Sequence, residues 1–450
     1  MFKISFPLLF LRFFIPTLTL QFLFFSGCTS TSYKSKQPRR PQARFDVTGQ
    51  QMAKSQLFFA GCVVTGYNQR SSYSSLENWC QNNFRYGQNI INVGGKGTPE
   101  SRKKLTNFYK TAFTNFEHPE FEVSILKTTN TEGMAFVFAI DNESVIAESF
   151  GEINSLNVEL SGQIIVFNLK DQMIMASYPL ILSAKTKNDA NSNIQALLNE
   201  LYYKGWSGDD QEAIGFLDYF VQTLKEKVSL TFYYDALTIN RIGVSSVNLE
   251  KIAISNLKEH NINQSDFEQK VAQDFLSYLA KNQNVAIVPF GATDSNNRRT
   301  LDIVPGGANM ASRFKDTSFT SLTIPEPTFA IDLTMRGFKE AEVDRTNIEK
   351  ALGFGSFINM KVINAADQST IFDENFRNHL IRVVPLDSNF DSWPWLNGSL
   401  KALIEELTSN LSDPNSKWCK DKAQGSKTRN SLRNLYSTSI STCLSPLPNS

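Results

Sequence analysis

A chain of 450 residues with a formal charge of +1, 41% hydrophobic and 20% charged residues has room for two or three domains and no electrostatic bias toward nucleic acid. Three histidines, His118, His260 and His379, and five cysteines without a C-x-x-C pair exclude the common zinc patterns, so no metal or other cofactor is expected. Beyond Phe25 no run reaches the roughly 20 apolar residues of a spanning helix.

Residues 1–27 open with Lys3 and Arg12 among Phe, Leu and Ile, a basic start and an apolar run that predict an export signal. Phe25-Ser26-Gly27-Cys28 then resembles the lipobox of bacterial lipoproteins, with Phe where Leu is usual. The resemblance implies lipidation of Cys28, with diacylglyceryl and an amide-linked acyl chain that together hold a membrane where one chain would not. Thr29 follows, rather than the Asp that retains enteric lipoproteins at the inner membrane, which favours an outer-membrane anchor facing the periplasm. Cys62 ends a near copy, LFFAGC, but QQMAKSQ precedes it and no membrane would accept that segment. Residues 28–46 carry five basic groups, no acid before Asp46, and many Ser, Thr and Pro, a composition that predicts a flexible tether reaching ~50 Å when stretched.

Residues 47–118 read as an amino-terminal module, with a helix over 101–113. Cys62, Cys80, Cys419 and Cys443 allow three connectivities, and local bridges Cys62–Cys80 and Cys419–Cys443 are the preferred pairing, each contributing ~3 kcal/mol. A first α/β module is expected over 119–240, with a hairpin at Val166 to Gln172, a helix at Asp209 to Lys227 behind Asp caps, and the strand-like VSLTFYY. Residues 241–283 read as a helical connection. Ser265-x-x-Glu268 suggests a capping box before Phe267, Val271, Phe275 and Leu279.

The second α/β module, 284–411, opens with the buried strand VAIVPFG. Phe329, Ile331, Leu333 and Met335 alternate with polar partners and predict a half-buried strand, followed by a hairpin turning at Ala365-Ala366-Asp367-Gln368. Two matches suggest duplication. V-x-N-x-x-D-Q occurs at Val166 and Val362, an offset of 196, and Ala196 to Leu201 matches Ala402 to Leu407 at an offset of 206. The difference of ten is assigned to the connection. A disulfide-containing tail, 412–450, completes an α+β fold of mostly antiparallel or mixed sheets with helices packed on one face.

VAIVPFG, FAIDLTMRGF and FINMKVINAADQSTIFDENF together resemble the fold of penicillin-binding-protein activator lipoproteins, the curli-secretion lipoprotein and the amino-terminal domain of the Tol translocation protein. The similarity spans Val285 to Leu411, with an echo at Phe121 to Leu201; it departs at the polar segment Ala292 to Pro327 and lacks the usual Gly after Asp367. It implies a non-enzymatic envelope protein that binds a partner such as a cell-wall synthase, near peptidoglycan. The alternatives are a structural subunit of a secretion or surface-appendage complex, partnered by itself, and an envelope hydrolase with an unrecognised site.

Enzyme motifs fail on their residues. Gly97 interrupts the Walker pattern at Gly94 to Thr98, and S-x-x-K at Ser101 and again at Ser124 lacks S-D-N and K-T-G. No catalytic residue is assigned. The candidate binding residues are Arg298 and Arg299, in a loop that could grip a carboxylate or glycan, and Trp393 and Trp395, which with Phe390 surround a proline and either anchor a partner or plug a core edge.

Overall fold

The run LFFAGCVV has no alternation because its strand, β1 (Ser55–Thr65), is buried on both faces. In the computed structural model, the described residues are 54–66, 75–85, 87–91, 93, 97–127, 130, 132–150, 153–187, 194–204, 214–228, 240–293, 298–306, 320–386, 391–422 and 426–443. Cys28 and the tether, Asp209 and Asp210, most of VSLTFYY, and Phe390 lie outside them.

After β1 the chain forms helices α1 (Leu76–Asn83), α2 (Gly87–Ile90) and α3 (Pro99–Thr114), the last capped by Thr98, whose hydroxyl accepts from the Ser101 amide. β2 (Phe121–Ile125) and β3 (Met134–Phe150) pair with β1 in parallel, one on each side. β4 (Ile153–Asn168) and β5 (Ile174–Lys187) continue from β3 as an antiparallel meander. Helices α4 (Ile194–Tyr203) and α5 (Phe216–Lys227) follow, and Leu198, Tyr202, Phe216 and Phe220 join Leu105 and Tyr109 in one core. Gly215 stands at the amino-terminal cap of α5.

β6 (Ile242–Leu249) starts a second sheet and leads into α6 (Lys251–Glu259) and α7 (Gln264–Gln283). Asn263, rather than Ser265, caps α7: its side chain accepts from the Asp266 amide. VAIVPFG contributes only a two-residue strand, β7 (Ile287–Val288), parallel to β6. The chain then crosses to the first sheet. β8 (Ala292–Thr293), β9 (Arg299–Gly306) and β10 (Thr320–Thr323) extend its β1 edge, β9 running antiparallel to β1. Leu301, Ile303 and Leu322 close a second core over its back face with Val63 and Ile165. β8, β9 and β10, from the polar stretch that follows β7, thus belong to the first sheet rather than the second.

β11 (Phe329–Arg345) returns in parallel beside β6, and β12 (Glu349–Asn364) and β13 (Thr370–Pro385) form the second meander. α8 (Trp393–Asn410), α9 (Lys417–Lys422), α10 (Ser426–Thr438) and a short 3-10 turn end the described chain. Phe329, Ile331, Leu333 and Met335 point into the core with Leu403, Ile404 and Leu407 of α8, so the period-two signal reports a half-buried strand. The fold is α+β, as its composition and periodicity imply.

The two sheets repeat one plan. Order β5-β4-β3-β1-β2 in the first matches β13-β12-β11-β6-β7 in the second, with the same parallel and antiparallel ladders. The irregularities repeat too. β3 bulges between Ile140 and Asn142 where β11 bulges between Met335 and Gly337, counted in each from pairing with the matched Asn168 and Asn364. The V-x-N-x-x-D-Q turns share one conformation. Asn168 Oδ1 accepts from the Lys170 amide and Asn364 Oδ1 from the Ala366 amide, Asp171 and Asp367 accept two residues on, and Gln172 and Gln368 have φ of 57° and 59°.

Candidate site between the two sheets

α7 packs on both sheets, which explains its composition. Phe267, Val271, Phe275 and Leu279 serve the second core, yet Gln273, Asp274 and Ser277 are also buried. Around this helix the sheets are joined by polar contacts. Arg299 on β9 donates Nη2 to the carbonyl of Val244 on β6 at 2.8 Å, and Arg241, just before β6, donates Nη2 to Met175 O on β5 at 3.2 Å. Lys401 of α8 forms an ion pair with Glu159 of β4. Burial pulls the Lys401 ammonium down, but Asp274 and Glu159 outweigh it and hold its pKa above the ordinary value.

Asp141 occupies the β3 bulge, and the extra residue there aims a carboxylate into a buried position. Thr65 donates its hydroxyl to Asp141 Oδ1, and Gln163 Nε2 donates to both carboxylate oxygens, at 2.9 and 3.1 Å. Gln273 of α7 donates to Thr65 Oγ1 at 3.3 Å, and Ser177 donates to Gln163 Oε1. The chain of hydrogen bonds therefore crosses from the second module through the first sheet. Burial raises the Asp141 pKa to about 6; the Thr65 and Gln163 hydrogen bonds oppose the rise and nearby Asp274 adds to it.

Above this network, at the carboxyl end of β1, lies a cavity of about 250 Å³. Trp79, Phe267 and Trp393 give it aromatic walls, and Asp141 and Asn142 belong to its lining. Trp393 is held by Phe338 and Phe267, with ring centroids 5.3 and 5.8 Å away.

Of the binding residues expected from the sequence, Trp393 reaches this cavity. Trp395 is half-buried, stacked on Phe354 and covered by the Arg382 guanidinium 4.5 Å from its ring, so both tryptophans pack against the second core. Arg298 is exposed, but Arg299 is not a surface group. The strand period turns it inward, where it satisfies the Val244 carbonyl and burial lowers its pKa.

The expected disulfides are not formed. Cys62, Cys419 and Cys443 carry free thiols, and all four cysteines of the folded part are buried as small apolar side chains. Cys62 is hydrogen-bonded with the Tyr109 hydroxyl and shares a core with Cys80; Cys419 and Cys443 share the other.

Sequence reasoning missed Asp141, Gln163 and Gln273 because they belong to no motif. The available signal was the single acid ending the apolar run MAFVFAID. Among the described residues no group of His, Cys, Asp and Glu is arranged to hold a metal, and no helix is long and apolar enough to cross a membrane.

No family model and no curated protein matches the chain. Among solved structures it is similar to the hypothetical protein CT253 from Chlamydia trachomatis, with 9% identity, a TM-score of 0.23, and coverage of 39% of this chain and 96% of that one. It is also similar to a neuraminyllactose-binding hemagglutinin homologue from Helicobacter pylori, with 9% identity, a TM-score of 0.23, and coverage of 41% and 89%. Similarity at this level bears on neither the site nor the activity.

Proposed function

We propose that the protein is a lipid-anchored binding or assembly factor of a bacterial envelope complex, held at the outer membrane through Cys28 and facing the periplasm, and that it acts by contact rather than catalysis. The observation that carries this reading is the open end of the second meander. Helices cover one face of β11–β13, and on the other face Val343, Ile381 and Val383 are 59%, 51% and 56% exposed, with Ile348 at the hairpin turn 74% exposed. Ile381 lies opposite Gly353 and Val383 opposite Ala351, and Val343 lies over Gly353, so they form one patch. Single exposed apolar residues are ordinary, but such a group on a sheet end suits a protein contact.

The test is crosslinking in intact cells of the native host, purification through a carboxy-terminal tag and mass spectrometry of what is recovered. A cell-wall synthase in near-equal amount supports the binding-factor reading. Recovery mainly of the protein itself with outer-membrane components favours a structural subunit instead. A V343D/I381D variant that folds normally and captures the same partner as the unmodified chain removes the patch from the account. Intact mass without acyl chains on Cys28 removes the anchor.

A further inference from the structure

The cavity at the carboxyl end of β1 lies where crevices beside parallel strands commonly receive ligands. Its chemistry is specific. Asn83, Asn142, Asn261, Asn397 and Gln269 contribute amides, each able to donate and accept, while Trp79, Phe267 and Trp393 contribute flat apolar rings. Asn142 belongs to the lining, and its Nδ2 is buried with no hydrogen-bond partner among the described residues, a costly unmet donor in the cavity wall.

The charges narrow the ligand. Lys270 is the one lysine or arginine in the lining; Asp274 Oδ2, 3.7 Å away, offsets its charge, while its buried Nζ has no hydrogen-bond partner among the described residues and can still donate to a ligand oxygen. Asp141 and Asp266 leave the lining with a surplus of acid, which repels phosphates and carboxylates. Asp141 in turn has its oxygens occupied by Thr65 and Gln163 and offers little to a cation. An uncharged molecule with many hydroxyls fits what remains: each hydroxyl matches an amide, and its C–H face packs on a ring.

We infer that the cleft between the two sheets binds a single uncharged sugar ring. The volume of about 250 Å³, below the roughly 300–1,000 Å³ of drug-sized sites, confines one ring inside and leaves any longer glycan outside. This inference does not depend on the partner proposed for the open sheet face.

The experiment is titration of the full chain with glucose, galactose, mannose and N-acetylglucosamine, followed by tryptophan fluorescence, since Trp79 and Trp393 line the cavity. Glucuronate serves as the charged control. Saturable binding of at least one neutral sugar is expected, at least tenfold tighter than glucuronate and weakened at least tenfold by Asn142→Ala. Asn397→Ala, on the helix opposite, is expected to weaken binding about threefold and decides the matter if Asn142→Ala alters the urea midpoint. The inference is overturned if no neutral sugar saturates the signal, if glucuronate binds as well, or if the deciding variant binds like the unmodified chain.

Discussion

Arg299, on a strand that the second half of the chain lends to the first sheet, donates to the carbonyl of Val244 on β6, just past the two residues of that strand that β7 pairs. The guanidinium is buried, and the carbonyl it satisfies lies beside the irregularity in the β6–β11 ladder. Arg299→Ala leaves that carbonyl without its partner, and the expected cost is about 1–3 kcal/mol. Equilibrium urea unfolding measures it; the neighbouring Arg298→Ala, at an exposed side chain, should change stability by less than about 0.5 kcal/mol.

Asp141 makes stability depend on pH in the direction opposite to a paired surface carboxylate. Its pKa rises from 3.8 to about 6 on folding, so the native state holds a proton that the unfolded state has released between those values. Stability from this group is therefore full below about pH 4, falls as pH rises toward 6, and is flat above, a loss on the order of 3 kcal/mol. Asp141→Asn should flatten this limb in urea midpoints measured from pH 4 to 8.

Gln172 and Gln368 hold left-handed backbone conformations in matching turns. Such a conformation costs a residue with a Cβ about 1–2 kcal/mol, and glycine gives back part of the gain through the unfolded chain. Gln172→Gly and Gln368→Gly should each stabilise by about 0.5 kcal/mol. The turns sit in different sheets and share no partner, so the double variant should add the two in thermal or urea unfolding.

Burial pushes the Cys62 and Cys443 thiols up to about 12 and raises Cys419 above its usual value. Thiolate reacts and thiol does not. Iodoacetamide at pH 8 should label these three residues slowly in the native protein and fully in guanidinium. Intact mass should not change with reductant, as it would if Cys62–Cys80 or Cys419–Cys443 were bridged.

Trp393→Ala removes a ring packed against His260, Phe267 and Phe338. A loss of about 3 kcal/mol is expected, toward the low end for a large aromatic because the side chain is only partly buried. A shift in unfolding midpoint of this size marks the residue as part of the core edge, whether or not the cavity beside it is occupied.

Alternation in β11 was legible from FAIDLTMRGF because one face of a sheet is dry and the other wet, and that contrast is written into every second residue. The helical stripe of α7 was legible only in part. Phe267, Val271, Phe275 and Leu279 announced one buried face, but Gln273 and Asp274 gave no sign that the first sheet covers the other, since a buried polar residue looks like an exposed one until its partner is known. Arg299 follows the same rule: beside Arg298 it looks like a surface group, and only the fold supplies the Val244 carbonyl that it meets.

The repeat shows the division most clearly. V-x-N-x-x-D-Q encodes a turn locally, through side-chain oxygens that bond amides two residues on, so both copies could be found in the sequence. Which strands join which sheet was decided only in three dimensions. β9 lies more than 230 residues from β1 along the chain, and its pairing depends on long-range burial that no window of sequence contains. The cleft at Asp141 belongs to that second class: the sequence supplied its residues one at a time, and the packing of two modules on one helix brought them together.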